Sequence, residues 1–335
     1  MQIAVLATPD SWYFRDLLRA AAERHTLIPL SYRQLCGGWL GGVRDAGREL
    51  RVVGEMRGQG LGARGQGGVE RDAGRGTGDA GGMREAVKSQ IFSGENSLLD
   101  FDALLVRSMP AGSLEQIVLR MDLLGELARQ GRIIVNPPRA LETAIDKFLT
   151  SARLAAAGLP IPRTWVAQTV AEALRGFDDL GRDVVLKPLF GSEGRGIARL
   201  TDADLAERAF QLQSQLGGVL YLQEFLPHQG GDYRILIIGQ RHWAIRRHNA
   251  HDWRSNISRG GAAEPCELPE AWIDLAYRAA AAVGAEIAGV DLLTADNGQL
   301  YVIEVNAVPG WRGLAQACHV DIAGEIITYL ASPPR

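Results

Sequence analysis

Residues 289 to 309, GVDLLTADNGQLYVIEVNAVP, constrain this chain more than any others. Two β-rich runs, 290–294 and 300–306, flank Asn297-Gly298, the dipeptide that most favours a tight two-residue hairpin turn. With only those two residues in the loop, 296 faces 299, 295 faces 300, and Asp291 falls directly opposite Glu304. Asn306, two residues beyond Glu304, projects from the same face. Directly opposed carboxylates, with Cβ atoms about 5 Å apart, repel each other unless something neutralises them. One protonated member would suffice, but a hard divalent cation fits better. Magnesium takes oxygen ligands, usually one or two carboxylates completed by substrate phosphates. The hairpin therefore predicts a magnesium–nucleotide site. The competing reading is a solvated edge hairpin whose acids oppose each other by chance.

Composition narrows the classes around that hairpin. A chain of 335 residues, 46% hydrophobic and 22% charged, can bury a large core in two or three lobes. A net charge of -3 gives no electrostatic reason to expect nucleic acid or an acidic membrane as partner. Cys36, Cys266 and Cys318 are scattered and lack CxxC spacing, which argues against a disulfide framework or a zinc site. The opening MQIAVLATPD lacks the basic region and apolar run of a signal peptide, and no apolar run reaches the length of a membrane span, so a cytoplasmic location is expected.

Taken in order, residues 3–8 read as a buried strand, 11–25 as a helix and 27–30 as a strand, a small doubly wound opening. No GxGxxG follows the first strand, so no dinucleotide site is expected there. From about 37 to 82 the chain is rich in glycine, with balanced arginines and acids and few aromatics. Such a stretch cannot bury enough apolar surface to offset its ordering entropy, and it reads as a disordered insertion that limited proteolysis would cut. Folded character resumes with a hairpin near 89–96 and a strand at 103–107. A helix at 113–130 follows, with Ser113 and Gln116 as a capping box and a stripe at Leu114, Ile117, Val118, Met121, Leu124 and Ala128. After a strand at 132–135, Pro137-Pro138 marks a lobe boundary. Beyond it lie helices near 146–157, 171–180, 202–215, 269–283 and 321–330, with strands at 164–167, 184–189, 197–200, 220–226, 233–238 and 243–247. The pattern is α+β, with an α/β N-terminal domain over 1–137, its insertion at about 40–86, and a second domain over 138–335. That second domain has a central lobe at about 138–226 and a C-terminal lobe at about 227–331.

The glycine loop Gly191-Ser192-Glu193-Gly194-Arg195-Gly196 lies between two strands, with Lys187 on the incoming one. A Walker A loop would run into a helix and carry its lysine after the glycines, and neither HRD nor DFG is present to suggest a protein kinase. Glycines in a β-turn-β let backbone N–H groups close over phosphates, although a plain hairpin turn reads the same way. Asp232-Tyr233-Arg234 sets an acid and a base on one strand face, as a nucleotide contact or a structural ion pair. Arg254-Ser255-Asn256 and Arg259-Gly260-Gly261 place cations among small residues, suited to charge developing on a transferred phosphoryl group, or simply a solvated basic loop. His248 and His251 are three apart without a third nitrogen or sulfur ligand, and His319 reads as packing or surface.

In this order, AIDKF, VVLKPLFGSEGRGIA, YLQEFL, GDYRILIIG, WRSNISRGG, AGVDLL and YVIEVNAVPG resemble the ATP-grasp superfamily, and within it the ribosomal-protein glutamate ligase (RimK) family. RSMPAGSLEQIVLRMDLL and AVPGWRGL resemble the RimK-like ligases that add α-linked L-glutamate to tetrahydromethanopterin. The resemblance spans nearly the whole chain except the insertion. It implies an ATP-grasp fold, with the nucleotide held between two antiparallel β-rich lobes. The implied activity is an ADP-forming carboxylate–amine ligase working through an acylphosphate. It also implies that Lys147 and Lys187 touch ATP, with Lys187 on the phosphates, beneath the loop of Gly191, Ser192, Gly194 and Gly196. Glu224 and Phe225 would meet adenine, Asp232 the nucleotide, and Arg254, Ser255 and Asn256 the phosphates. Arg254 would also steady the transferring phosphoryl group and the oxyanion. Asp291, Glu304 and Asn306 would bind magnesium or manganese, as two ions. Glu304→Gln or Asp291→Asn should then abolish metal-dependent turnover and leave the fold largely intact. The expected partners are ATP, L-glutamate and a carboxylate acceptor, with no nucleic acid or membrane, in a homo-oligomer. The run 246–251, RRHNAH, departs from the ribosomal-protein ligases near the expected substrate region, and the acceptor stays open among a pterin, a deazaflavin, a furan cofactor and a protein tail. The alternatives are a ligase for another amino acid and an ATP-binding regulatory protein without catalysis.

Overall fold

A strand that is apolar on both faces opens the fold. β1 (Gln2–Leu6) buries every residue from Ile3 onward, which requires cover on two sides. α1 (Trp12–Ala21) follows, its first turn capped by the Ser11 side chain, and β2 (Thr26–Leu30) returns parallel to β1. The computed structural model describes residues 1–39, 89–191, 196–249, 252–253 and 262–332. The chain divides into two units, Met1–Gly37 with Ile91–Arg335, and Gly38–Gln90. Almost all of the second unit, including the insertion expected at about 40–86, lies outside the described residues.

After β3 (Leu35–Gly38), β4 (Gln90–Ser93) and β5 (Asn96–Ser97) form the expected hairpin, with Gly94 at φ 61°. β6 (Ala103–Val106), α2 (Leu114–Arg129) and β7 (Ile133–Val135) then complete a four-stranded parallel sheet in the order β2-β1-β6-β7. The Ser113–Gln116 capping box is present. The apolar stripe of α2 sits differently from the sequence pattern. Leu114 is 80% exposed, and Val118 is also exposed, while Leu127 and Arg120 are buried. Arg120 turns inward because its guanidinium donates to the Pro110 carbonyl at 2.7 Å.

Two helices follow in place of the single one expected. α3 (Pro138–Ile145) starts on its proline, and α4 (Lys147–Ala156) starts at Asp146, whose carboxylate accepts the N–H groups of Phe148 and Leu149. β8 (Thr164–Ala167), α5 (Val170–Asp179), β9 (Val184–Lys187), β10 (Ala198–Leu200), α6 (Ala203–Gln215) and β11 (Leu220–Glu224) build an antiparallel sheet in the order β10-β9-β11-β8. Its helices close a separate core around Phe177, Phe210 and Leu222.

β12 (Gly231–Ile238), β13 (Arg241–His248), β14 (Ala262–Pro265), α7 (Glu270–Val283), β15 (Ile287–Thr294) and β16 (Leu300–Asn306) follow. The strands form an antiparallel sheet in the order β14-β13-β12-β15-β16. α8 (Arg312–Cys318) and α9 (Ile322–Ala331) close the chain. β12 alternates between two cores: Ile235 and Ile237 join Leu6, Leu124, Leu141 and Val290, while Leu236 and Ile238 join Val5, Leu17, Trp311 and Ile326. Together these elements form the α+β architecture read from the sequence.

The hairpin that opened the sequence reading is built differently from expectation. Its loop holds three residues, Asp296-Asn297-Gly298, because Ala295 faces Gln299 through a 2.9 Å backbone bond and Thr294 faces Leu300. Gly298 takes φ 79° to turn the chain, the geometry of a three-residue hairpin closed by a left-handed glycine. Asp291 nevertheless faces Glu304, because the register shifts between Asp291 and Leu292, and Ile303 is the extra residue of a bulge. Two one-residue deviations cancel.

Candidate active site

The β14–β16 sheet carries a row of charges across four neighbouring strands, and its register dictates the row. Asp232 on β12 faces Arg247 on β13, Arg234 on β12 faces Asp291 on β15, and Asp291 faces Glu304 on β16. Arg247 donates to both Asp232 oxygens at 2.7 and 2.6 Å, and Arg234 donates to both Asp291 oxygens at 2.7 Å each. Arg247 also reaches Asp291 at 2.9 Å. Arg247 and Asp291 are 3% and 4% exposed, so these pairs are shielded from water. Burial pushes the Asp291 carboxyl up, but the two guanidiniums overcome it and hold the carboxyl below its usual range. Burial also lowers Arg247, and Asp291 and Asp232 more than restore it.

Two expectations change here. The cations answering Asp291 are protein guanidiniums, while the Glu304 side chain makes no hydrogen bond or ion pair among the described residues. Asp232 pairs with Arg247 and not with Arg234, because directly opposed residues lie about 5 Å apart and same-strand neighbours two apart about 6.6 Å. Both Asp232 oxygens are thereby engaged before any nucleotide arrives.

Facing this row across a narrow cleft are the two lysines. Lys187 ends β9 and donates to the Gln223 side chain on β11; Lys147, first residue of α4, donates to the Gly191 carbonyl at 3.0 Å. Burial pushes the Lys187 ammonium down to about 8, against the pull of Glu304 and with a further push from Lys147. Burial lowers Lys147 as well, again opposed by Glu304. Lys147, Lys187, Tyr221, Gln223 and Glu304 line this cleft of about 50 Å³. Gly191 and Gly196 frame the glycine loop, Gly196 at φ 71°, while Ser192 and Gly194 lie outside the described residues.

At the end of β11, the Glu224 and Phe225 N–H groups donate to the Arg163 and Asp183 carbonyls at 2.9 Å each. Neither N–H is therefore available to an adenine edge, which leaves the carbonyls and the Leu226 N–H. The Glu224 carboxylate binds Arg163, and the Phe225 ring lies under the Arg199 guanidinium at 3.5 Å. Arg254, Ser255, Asn256 and His251 lie outside the described residues. His319 ends α8 in a left-handed conformation, φ 53°.

On its other side Glu304 opens into a cavity of about 790 Å³, lined also by Asn306, Arg107, Arg234, Arg247 and Arg312. The oxygen donors fit a hard cation unevenly. The Glu304 carboxylate is free among the described residues, Asn306 Oδ1 accepts the Val308 N–H at 2.8 Å and keeps a second lone pair, and Asp291 could only share oxygens already bonded to arginine. No group of three or more His, Cys, Asp and Glu suited to a metal occurs among the described residues. The ion the residues fit is one that substrate phosphates complete. Sequence reading did not single out Arg107, which lines this cavity, and gave Arg247 no pairing role. Arg247 had a signal, since it shares period and face with buried Ile245.

The profile of the RimK-like ATP-grasp domain matches residues 144–330. A tetrahydromethanopterin:alpha-L-glutamate ligase of Methanosarcina acetivorans is 34% identical over 267 residues, covering 71% of this chain and 82% of that protein. A probable alpha-L-glutamate ligase of Trichodesmium erythraeum is 31% identical over 251 residues, 73% of this chain and 82% of that protein. The fold is shared with the ATP-grasp ligase PsnB, solved with a minimal precursor, Mg and ADP, at TM-score 0.64 and 21% identity over 98% of this chain and 97% of that one. The chain belongs to the RimK-like ATP-grasp family. It is an ATP-dependent ligase that forms an amide bond and releases ADP. No helix among the described residues is long and apolar enough to cross a membrane.

Proposed function

We propose that this ligase joins the amine of L-glutamate to a carboxylate of a cofactor acceptor, tetrahydromethanopterin or a molecule like it. One observation carries the reading. Glu304, a carboxylate without an ion pair among the described residues, lines both the lysine cleft and the arginine cavity, so phosphates and a carboxylate substrate can meet beside it. The acceptor carboxylate attacks the γ-phosphorus of ATP, the bond to ADP breaks, and an acylphosphate forms. The glutamate amine then attacks the acyl carbon, and phosphate leaves as the amide closes.

Lys147 and Lys187 bind the phosphates, and the loop of Gly191, Ser192, Gly194 and Gly196 covers them from water. The Glu224 and Phe225 carbonyls receive the adenine amine, and Arg254, Ser255 and Asn256 complete the phosphate contacts. Arg234 and Arg247 fix the Asp291 carboxylate, and Asp232 holds Arg247, so Asp232 serves the nucleotide at one remove. Glu304, Asn306 and a shared oxygen of Asp291 would hold magnesium or manganese, as two ions. The metal would neutralise and align phosphate oxygens. Residues 138–335 form the ATP-grasp domain on this reading, and Thr8, Tyr13, Arg107 and Ser108 ahead of it wall the acceptor side. The enzyme works in the cytoplasm as a homo-oligomer; sedimentation reads its assembly.

The test is ADP release in the presence of L-glutamate, candidate acceptors and magnesium. The proposal expects release to need both substrates and the product to gain one glutamyl residue by mass. Release with a different amino acid, or with a protein tail alone, would replace this assignment.

A further inference from the structure

The cavity beyond Glu304 is walled by a cation that no group among the described residues answers. Arg107 follows directly on β6, with its backbone N–H fixed to the Leu6 carbonyl at 3.0 Å. Its guanidinium carbon lies 4.4 Å over the Trp311 ring and 5.0 Å over the Tyr13 ring, which are themselves packed edge to face at 4.8 Å. Its Nε is buried without a hydrogen-bond partner, and among the described residues the guanidinium makes no ion pair. The acid near this cage, Asp16, is committed elsewhere, to the Trp311 indole at 2.9 Å and to Arg19.

A half-buried guanidinium whose Nε is buried and unanswered is costly, so such an arrangement persists where a ligand supplies the counter-charge. Three further observations locate that ligand. Arg107 lines the same cavity as Glu304 and Asn306. It sits just beyond the carboxyl end of a parallel strand, where open α/β sheets place their ligands. The aromatic pair also holds the guanidinium as a flat fork, the shape that grips a carboxylate with two hydrogen bonds. Cost and geometry agree with burial pushing Arg107 down to about 10.

We infer that Arg107, caged by Tyr13 and Trp311, anchors a second substrate carboxylate, one that the reaction does not consume. The inference rests on the ligase reading, since that reading brings acids to this side of Glu304. It makes Arg107 the residue that selects acidic substrates. The anchored carboxylate belongs either to the incoming acidic amino acid or to the acceptor.

Calorimetric titration of the full chain tests this without turnover. The probes are L-glutamate, as the amino acid, and glutarate, as a diacid acceptor without an amine; uncharged glutaramide is the control. Arg107→Met should weaken one of the two acids about tenfold or more, as loss of a charge-assisted pair implies. ATP affinity and melting temperature should hold. Arg107→Lys, which keeps charge and loses the fork, should recover only part of the affinity. Weakening of L-glutamate alone assigns the carboxylate to the amino acid, and weakening of glutarate alone assigns it to the acceptor. The inference falls if Arg107→Met binds both acids within twofold of wild type, or if wild type binds neither acid better than glutaramide. Because the readout is binding, a failed ligase assay leaves it legible, and an intact ligase with unchanged affinities removes only this inference.

Discussion

Lys187 shows how one residue's environment writes a pH dependence into the proposed nucleotide site. Burial holds its ammonium near 8 in the free enzyme, and phosphates would restore the charged form. ATP affinity should therefore be flat below pH 8 and fall above it, with proton uptake on binding, as titrations in two buffers of different ionisation enthalpy would register. Lys187→Met should abolish that slope. The linkage also runs through folding. Above pH 8 and up to the unfolded lysine range, the unfolded chain holds the extra proton, so this group makes the nucleotide-free protein more stable as pH rises. Asp291 is different in kind. Removing its charge leaves the Arg234 guanidinium without its carboxylate and takes from buried Arg247 one of its two, Asp232 remaining, so Asp291→Asn should cost about 3 kcal/mol or more in denaturant unfolding. That replaces the sequence-level expectation of an intact fold. Lys187, Glu304 and Asn306 were legible as candidates because each sits in a run whose period and neighbours carry meaning, whereas Lys147 was legible through the resemblance of AIDKF alone. Arg107 was not, since a single arginine after an apolar strand looks like any surface cation until Tyr13 and Trp311 arrive from distant segments.

At the scale of elements, the hairpin shows where pattern reading succeeds and why. The period-2 alternation and the Asp291–Glu304 pairing were right, but the turn was read one residue short and the bulge at Ile303 was invisible. Asn297-Gly298 serves a two-residue and a three-residue loop alike, and sequence does not choose between them. Gly298→Ala tests the turn. No atom lies within 4 Å of the added methyl, so its cost is backbone strain at φ 79°, about 1 kcal/mol in urea unfolding, with ATP affinity unchanged. The long strands and helices were found because they are periodic. β14, α3 and α8 were missed, being short or mixed in character. The α2 stripe was displaced because Leu114 fits the helical period yet faces away from the core, while the hydrogen bond to Pro110 draws Arg120 inside.

Across the whole molecule, the parallel sheet and the β14–β16 sheet share two cores, whereas the sheet bearing Lys187 has its own. Asn136 ties the shared part together. Its side chain donates to the Ile287 and Ala307 carbonyls and accepts the Glu286 and Ile287 N–H groups. Asn136→Leu leaves those buried groups unanswered and should lower stability by about 3 kcal/mol or more, read as a drop in melting temperature. The separate core suits a moving part. On the proposed reading the lysine cleft of about 50 Å³ is narrow for a nucleotide, and a swing of the Lys187 sheet away from Glu304 would widen it. On the proposed reading the chemistry is a meeting of two halves at one carboxylate. The decisive measurement is substrate-dependent ADP release by Glu304→Gln with magnesium, alongside its melting temperature. The account predicts a fall of about a thousandfold or more, the scale of losing several kcal/mol of charge stabilisation, with the melting temperature unchanged. Near-normal ADP release by a folded Glu304→Gln enzyme would contradict it.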